Sequence, residues 1–247
     1  VNKKQNRIQK LLSYCRTNGE NYIRIGSEND GGYVMVNDFN ENDFAISCGI
    51  EDGVHFVGDL DFEEQISEIS KGLDMYDYAI DSLNHNFKNG RFFKAELGDE
   101  FGLKEMLSNA GEQDDYILKM DVEGAEFDVF FNAESSDISK FRQIVVEFHW
   151  LQKLATDDTY YFKFLNVFHK ILKTHHIVWF HGNNHSGTFK YGDMVIPEVV
   201  EILFLRKDSY KFTNADSKTA DNLDKLTRPC SNSIPDIVYD FFFIKTM

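Results

Sequence analysis

The sequence contains no GxGxxG run; the two glycines nearest that pattern at a strand end, Gly49 and Gly53, stand four apart. The pyrophosphate-binding turn of dinucleotide enzymes is therefore missing. The phosphate loop GxxxxGK[ST] is missing too, which argues against a nucleoside triphosphatase. Basic residues are scarce: 26 Lys and Arg against 41 Asp and Glu leave a formal net charge of −15. No Lys/Arg run offers a stripe to a phosphate backbone, so nucleic acid and anionic membranes are set aside as partners. The three cysteines, Cys15, Cys48 and Cys230, are far apart and form no CxxC pair. They indicate neither a disulfide framework nor a zinc site, and a reducing compartment suits them. No apolar run reaches the roughly 20 residues that span a bilayer, and the opening VNKKQNRIQK lacks a signal-peptide hydrophobic core. A soluble, cytoplasmic protein is expected. Only 3 prolines occur beside 23 Phe and 11 Tyr, which predicts few forced breaks and a core filled by aromatics.

The most informative stretch is Asp114 to Phe131, DDYILKMDVEGAEFDVFF. A short apolar strand runs into the carboxylates Asp121, Glu123 and Glu126 around a Gly-Ala hinge. Strand side chains alternate faces, so Asp121 and Glu123 are expected to point the same way, with a helix starting behind them. Such a strand-turn-helix unit delivers charge to the carboxyl end of a sheet, where open α/β sheets bind ligands. Glu126 is read as a helix residue, favoured near the helix start by the dipole.

Along the rest of the chain, Ile8, Leu11, Leu12 and Cys15 fall at helical spacing. Two β-like runs flank Asn29-Asp30-Gly31-Gly32, a turn signal. Further strands are expected at Phe44–Ser47, Tyr76–Ile80, Arg91–Leu97, Gln143–Phe148, His176–Phe180 and Val199–Arg206, and helices at Phe62–Leu73, Leu103–Asn109, Glu126–Phe131 and Tyr160–Thr174. Alternating strands and helices predict a parallel sheet with helices on both faces. The last two strands, joined without a clear helix, predict an antiparallel edge strand. One domain is expected: an N-terminal helix in residues 1–20, a core over 22–208, and an extension over 209–247, with a polar, turn-rich tail (207–235) forming an ordered loop or a flap.

Gly49 after one strand and Asp81 after the next is a pattern that binds an adenosine-containing ligand, the acid accepting from ribose hydroxyls. The two stand about 32 residues apart, against a usual ~20. S-adenosylmethionine has no phosphate and so needs no anion cradle; its positive sulfonium suits an acidic cleft.

DGGYV (Asp30 to Val34), SCGIEDGVHF (Ser47 to Phe56), LKMDVEGAEFDVF (Leu118 to Phe130), VVEFHW (Val145 to Trp150), FHGNNHSG (Phe180 to Gly187) and IPEVVEILFLRK (Ile196 to Lys207) together resemble the FkbM-type S-adenosylmethionine-dependent methyltransferases. The resemblance spans about residues 22–208. It implies a class I methyltransferase fold, Rossmann-like, with a seven-stranded, mostly parallel sheet whose last strand is antiparallel. It also implies O-methylation, often of sugars. Carried over by position, Cys48, Gly49 and Glu51 would line the methionine part of the cofactor. Asp81, with Ser82 beside it, would hold the ribose, and Glu96 and Leu97 would flank the adenine. Asp30, Gly31 and Gly32 match an early loop closing over cofactor or substrate, with Tyr33 next to the substrate. SCGIEDG departs from the many methyltransferases that carry an acid before the first glycine.

Methyl transfer needs an oxygen positioned in line and its proton removed. Asp121, Glu147 and His149 are the candidate catalytic residues at neighbouring strand ends, with Glu123 beside them. His149 has the ordinary pKa that suits a base. The alternative for His149 is a structural histidine at a strand end. Asp121, Glu147, His149 and His181 are also candidate ligands for Mg²⁺, Mn²⁺ or Fe²⁺. His181, Asn183 and Asn184, with Trp150 or Trp179 as a stacking platform, are candidate sugar contacts; an ordinary turn is the alternative. The expected activity is O-methylation of a carbohydrate, as a nucleotide sugar or a surface-glycan precursor. Two rivals stay open: a non-catalytic small-molecule or partner-binding module on the same fold, and an NAD-dependent sugar enzyme.

Overall fold

A computed structural model describes residues 3–50, 60–213 and 222–237. Its centre is a seven-stranded sheet: β1 (Asp43–Cys48), β2 (Gly72–Asp77), β3 (Gly90–Lys94), β4 (Asp115–Met120), β5 (Phe141–Phe148), β6 (His175–Gly182) and β7 (Val200–Arg206). The spatial order is β3-β2-β1-β4-β5-β7-β6. Strands β1 to β5 pair in parallel, and β7 runs antiparallel to both neighbours. This is the seven-stranded sheet that the resemblance implied. One expectation is corrected: the antiparallel strand is interior, and the edge is β6. The sequence VEILFLR is apolar at successive positions, and residues Val200 to Leu205 are all buried, as a strand covered on both faces must be.

Strand alternation divides the core. Phe44, Ile46, Cys48, Leu118, Ile144, Val146, Ile202 and Phe204 pack towards α1 (Lys3–Leu11), α3 (Leu103–Ala110), α4 (Glu126–Asn132) and α5 (Asp158–Thr174). Ala45, Ile117, Val145, Leu203 and Leu205 face the other way, against α2 (Asp61–Ile69) and the hairpin of Tyr22–Ile25 with Tyr33–Val36. Among the described residues no helix is long and apolar enough to cross a membrane.

The second strand differs from expectation by several residues. Gly72 sits opposite Phe44 in register, and a Cβ there would lie 2.6 Å from the Phe44 ring. Glycine therefore opens the strand beneath that ring, and the strand ends at Asp77, before the expected Asp81. At the far end of the chain, Phe212–Thr213 pairs with Arg16–Thr17, so the two extensions meet. Residues 227–237 lie over the carboxyl edge of the sheet: Asn184 Nδ2 donates to Ser231 O and Ile234 O at 2.8 and 2.9 Å, and Asp30 N donates to Cys230 O at 3.2 Å.

Candidate active site

Val145 and Glu147 share a face of β5, as do Leu203 and Glu201 on β7, because side chains two apart in a strand point the same way. Glu147 pairs in register with Glu201, and Glu201 with His181. Met120 pairs with Val146, so Asp121 follows beside Glu147. One row across the sheet therefore carries Asp121, Glu147, Glu201 and His181. It borders a cavity of about 1350 Å³ at the strand ends.

Two backbone requirements build the cavity floor. Gly49 has φ +77°, and a Cβ there would fall 1.4 Å from the Asp121 carbonyl oxygen. The β1 and β4 ends close on each other only with glycine at that place. Lys119 spans the same junction, donating to Gly49 O at 2.6 Å and Cys48 O at 3.3 Å. Glu123 adopts φ +54° and Gly124 φ +115°. Glu126 Oε1 holds this turn, accepting from Val122 N and Gly124 N at 3.1 and 3.0 Å.

The same Glu126 oxygen contacts His149 Nδ1 at 3.0 Å. His149 Nε2 then faces Glu123 Oε2 at 3.4 Å and Asp121 Oδ1 at 3.9 Å. Burial lowers the basicity of His149, but the hydrogen bond and charge of Glu126, with Asp121 and Glu123, outweigh it and raise the pKa to about 9. His149 is consequently an imidazolium at neutral pH. Tyr33 Oη donates to Asp121 Oδ2 at 2.8 Å and lies 3.5 Å from Glu147 Oε2. Asn183 Nδ2 donates to Glu147 Oε1 at 2.7 Å. Burial, aided by the charges of Asp121 and Glu201, pushes Glu147 well above the usual carboxylate range. Burial likewise raises Glu63 beside Ser47, and Asp30.

The cavity brings together Asp30, Gly31, Tyr33, Gly49, Glu96, Leu97, Asp121, Glu123, Glu147, His149 and Asn183. The other expected site residues lie elsewhere. Asp81 is an exposed partner of Lys94, and neither it nor Ser82 lines the cavity; Asp77 does, as the last residue of β2. Asp77 Oδ2 accepts from Ile50 N at 3.1 Å and Oδ1 from Ala79 N at 2.7 Å. Cys48 points into the core, its Sγ 3.6 Å from Met106 Sδ. Gly32 is enclosed by Ser27 O and the Arg24 guanidinium. Trp150, also outside the cavity, stacks its indole on Gly124, where a Cβ would lie 2.2 Å from Nε1. Asn184 anchors the C-terminal segment, and His181 is buried below the cavity. Glu51 falls outside the described residues. The four expected metal ligands do not converge: Asp121 and His149 group with Glu126, Glu147 with Asp30 and Glu201, and His181 with Glu201 and Cys230.

Glu126, Asp77 and Lys119 were not singled out as site residues. Lys119 was legible by alternation, two residues before Asp121. Asp77 required the true start of its strand. Nothing near Glu126 in sequence announces His149.

A sheet of this order, with a glycine closing its first turn and acids at the next strand ends, has the class I methyltransferase fold. Residues 99–173 match the family model of the methyltransferase FkbM domain, which supports a methyltransferase. No curated protein matches the sequence. Among solved structures, the fibrillarin pre-rRNA processing protein of Methanococcus jannaschii is similar at 9% identity and TM-score 0.37, covering 76% of this chain and 83% of that one. A likeness that loose carries no argument. The family's cofactor is S-adenosylmethionine, and the residues fit it. Gly49 lets the β1 and β4 ends close into the cavity floor, and Asp77 stands at the end of β2, where a ribose-binding acid would sit. Lys119, the lysine of the cavity lining, is spent on backbone carbonyls, which suits a ligand without phosphate.

Proposed function

We propose that this methyltransferase methylates a hydroxyl of a sugar, presented as a surface-glycan precursor or other acceptor without phosphate. When bound, S-adenosylmethionine supplies an electrophilic methyl group on a sulfonium. The chain's own residues must then orient the acceptor hydroxyl, exclude water and take up its proton.

The observation that carries this reading is the face shared by Tyr33, Asp121 and His149 at the cavity. Tyr33 donates to Asp121 Oδ2, which fixes the carboxylate and leaves Oδ1 towards His149 Nε2. Asp121 orients the hydroxyl and receives its proton at neutral pH. His149 joins as a base once it has lost its own proton, above about pH 9. Burial raises Glu147, which accepts from Asn183 Nδ2 beside this face.

The cavity charge favours the glycan precursor over a nucleotide sugar. Glu28, Asp30, Asp77, Glu96, Asp121 and Glu123 all line it. Arg24 lies nearby, but its Nε and Nη2 donate to Ser27 O and Asn29 O. Among the described lining residues Lys119 is held by the Gly49 and Cys48 carbonyls and His149 by Glu126, so a pyrophosphate would meet an excess of acids. The test is mass spectrometry of neutral oligosaccharides and nucleotide sugars incubated with enzyme and S-adenosylmethionine. A gain of one methyl on the neutral acceptors supports the proposal; methylation confined to nucleotide sugars overturns the acceptor class. Absence of calorimetric binding of S-adenosylmethionine at millimolar ligand overturns the cofactor assignment and favours a binding module.

A further inference from the structure

Below the cavity, three side chains with metal-ligating atoms meet from three separate parts of the chain: His181 of β6, Glu201 of β7 and Cys230 of the C-terminal segment. They are 1%, 0% and 3% exposed. His181 Nδ1 lies 3.0 Å from Glu201 Oε2, and Cys230 Sγ lies 3.6 Å from Glu201 Oε1. Donors at zinc-ligand distances in a tetrahedron stand roughly 3.3–3.6 Å apart, so small adjustments reach that geometry.

A second observation concerns the far side of the imidazole. His181 Nε2 is buried without a hydrogen-bond partner, yet Asp236 Oδ1 stands 3.3 Å from it. A histidine ligating metal through Nδ1 carries its proton on Nε2, and a carboxylate facing that proton is the usual outer partner of a ligand histidine. Charge points the same way. Glu201 shares its surroundings with Asp30 and Glu147, whose oxygens come within 4.8 Å of one another.

We propose that His181, Glu201 and Cys230 form a binding site for a divalent metal of borderline softness, Zn²⁺ by donor type, with Asp236 orienting the histidine. Nδ1 and a Glu201 oxygen each donate a lone pair. The Cys230 sulfur gives up its proton to solvent as the S–metal bond forms. Cys230 O also accepts from Asp30 N, so the metal would tie the Asp30 loop to the sheet beside the cavity. The site does not depend on the methyl acceptor, and its readout is metal itself.

The experiment adds Co²⁺ to metal-free protein and records the near-ultraviolet spectrum, with elemental analysis of the zinc-loaded protein. One equivalent of metal and a thiolate-to-cobalt charge-transfer band are expected, together with a higher thermal midpoint. The band disappears in Cys230→Ser, and Asp236→Asn weakens metal binding about 10- to 100-fold. No band and no thermal shift in wild-type protein that still binds S-adenosylhomocysteine would overturn the site. So would a band that survives Cys230→Ser.

Discussion

Glu126 and His149, 23 residues apart, are joined at 3.0 Å through Oε1 and Nδ1, and the same oxygen accepts the amides of Val122 and Gly124. One fully buried carboxylate therefore sets both the shape of the acidic turn and the orientation and charge of the histidine beside it. Glu126→Gln keeps an oxygen for the amides and removes the charge. The His149 pKa, followed by NMR, is expected to fall from about 9 towards its ordinary 6.5. An unmoved pKa in a folded variant would remove the coupling.

Asp121→Asn retains the shape of the side chain and loses its proton acceptor. Turnover is expected to drop about 100-fold or more while calorimetric binding of S-adenosylhomocysteine stays within a few-fold. Near-normal turnover would reassign Asp121 to structure.

His149 sets two pH dependences of opposite sense. Its folded pKa, about 9, lies above the ordinary 6.5. The stabilisation from its pairing is therefore complete below about pH 6.5 and is lost as pH rises through about 9. Over the same window the neutral base form accumulates, so kcat/KM is expected to rise towards pH 9. His149→Gln should flatten both the thermal midpoint and the rate across pH 6.5–9. A rate profile unchanged by the substitution would exclude His149 from proton transfer.

Asp77 and Asp81 can be told apart directly. Asp77→Ala is expected to weaken binding of S-adenosylhomocysteine by at least about 10-fold, since a buried-site hydrogen-bonding carboxylate is worth 1–3 kcal/mol. Asp81→Ala, which removes an exposed pair with Lys94, should leave binding unchanged. The reverse result would return the ribose role to Asp81.

Gly49→Ala is expected to destabilise the protein by about 2 kcal/mol or more and to impair cofactor binding, because the new Cβ meets Asp121 O at 1.4 Å with φ at +77°. Thermal unfolding of the two proteins decides this.

Much of the sheet was legible because burial leaves a local mark. QIVVEF, VVEILFLR and YILKM are short runs of the kind that only covered strands carry, and each is a strand. Asp121 was legible for a related reason, since the end of such a strand faces the ligand side of an open sheet. The start of β2 was not. It depends on Gly72 fitting beneath Phe44, a contact between residues 28 positions apart, and a shift of that strand moved the expected acid from Asp77 to Asp81.

By itself the sequence determined the α/β class and the acidic character of the cleft, carried the FkbM resemblance, and put forward Asp121 and His149 as candidate chemical residues. The class and the charge follow from periodicity, turn residues and composition, which act over a few neighbouring positions. Tertiary structure decided the rest. It made Glu126, the first residue of α4, the partner of His149, raised the Glu147 carboxyl by burying it, and removed Trp150, Asn184 and His181 from the cavity. It also set His181 and Glu201 beside Cys230, although the cysteine spacing had argued against zinc. Each of these outcomes depends on which strands become neighbours and how deeply a carboxylate is buried. Those quantities arise only when distant segments pack together.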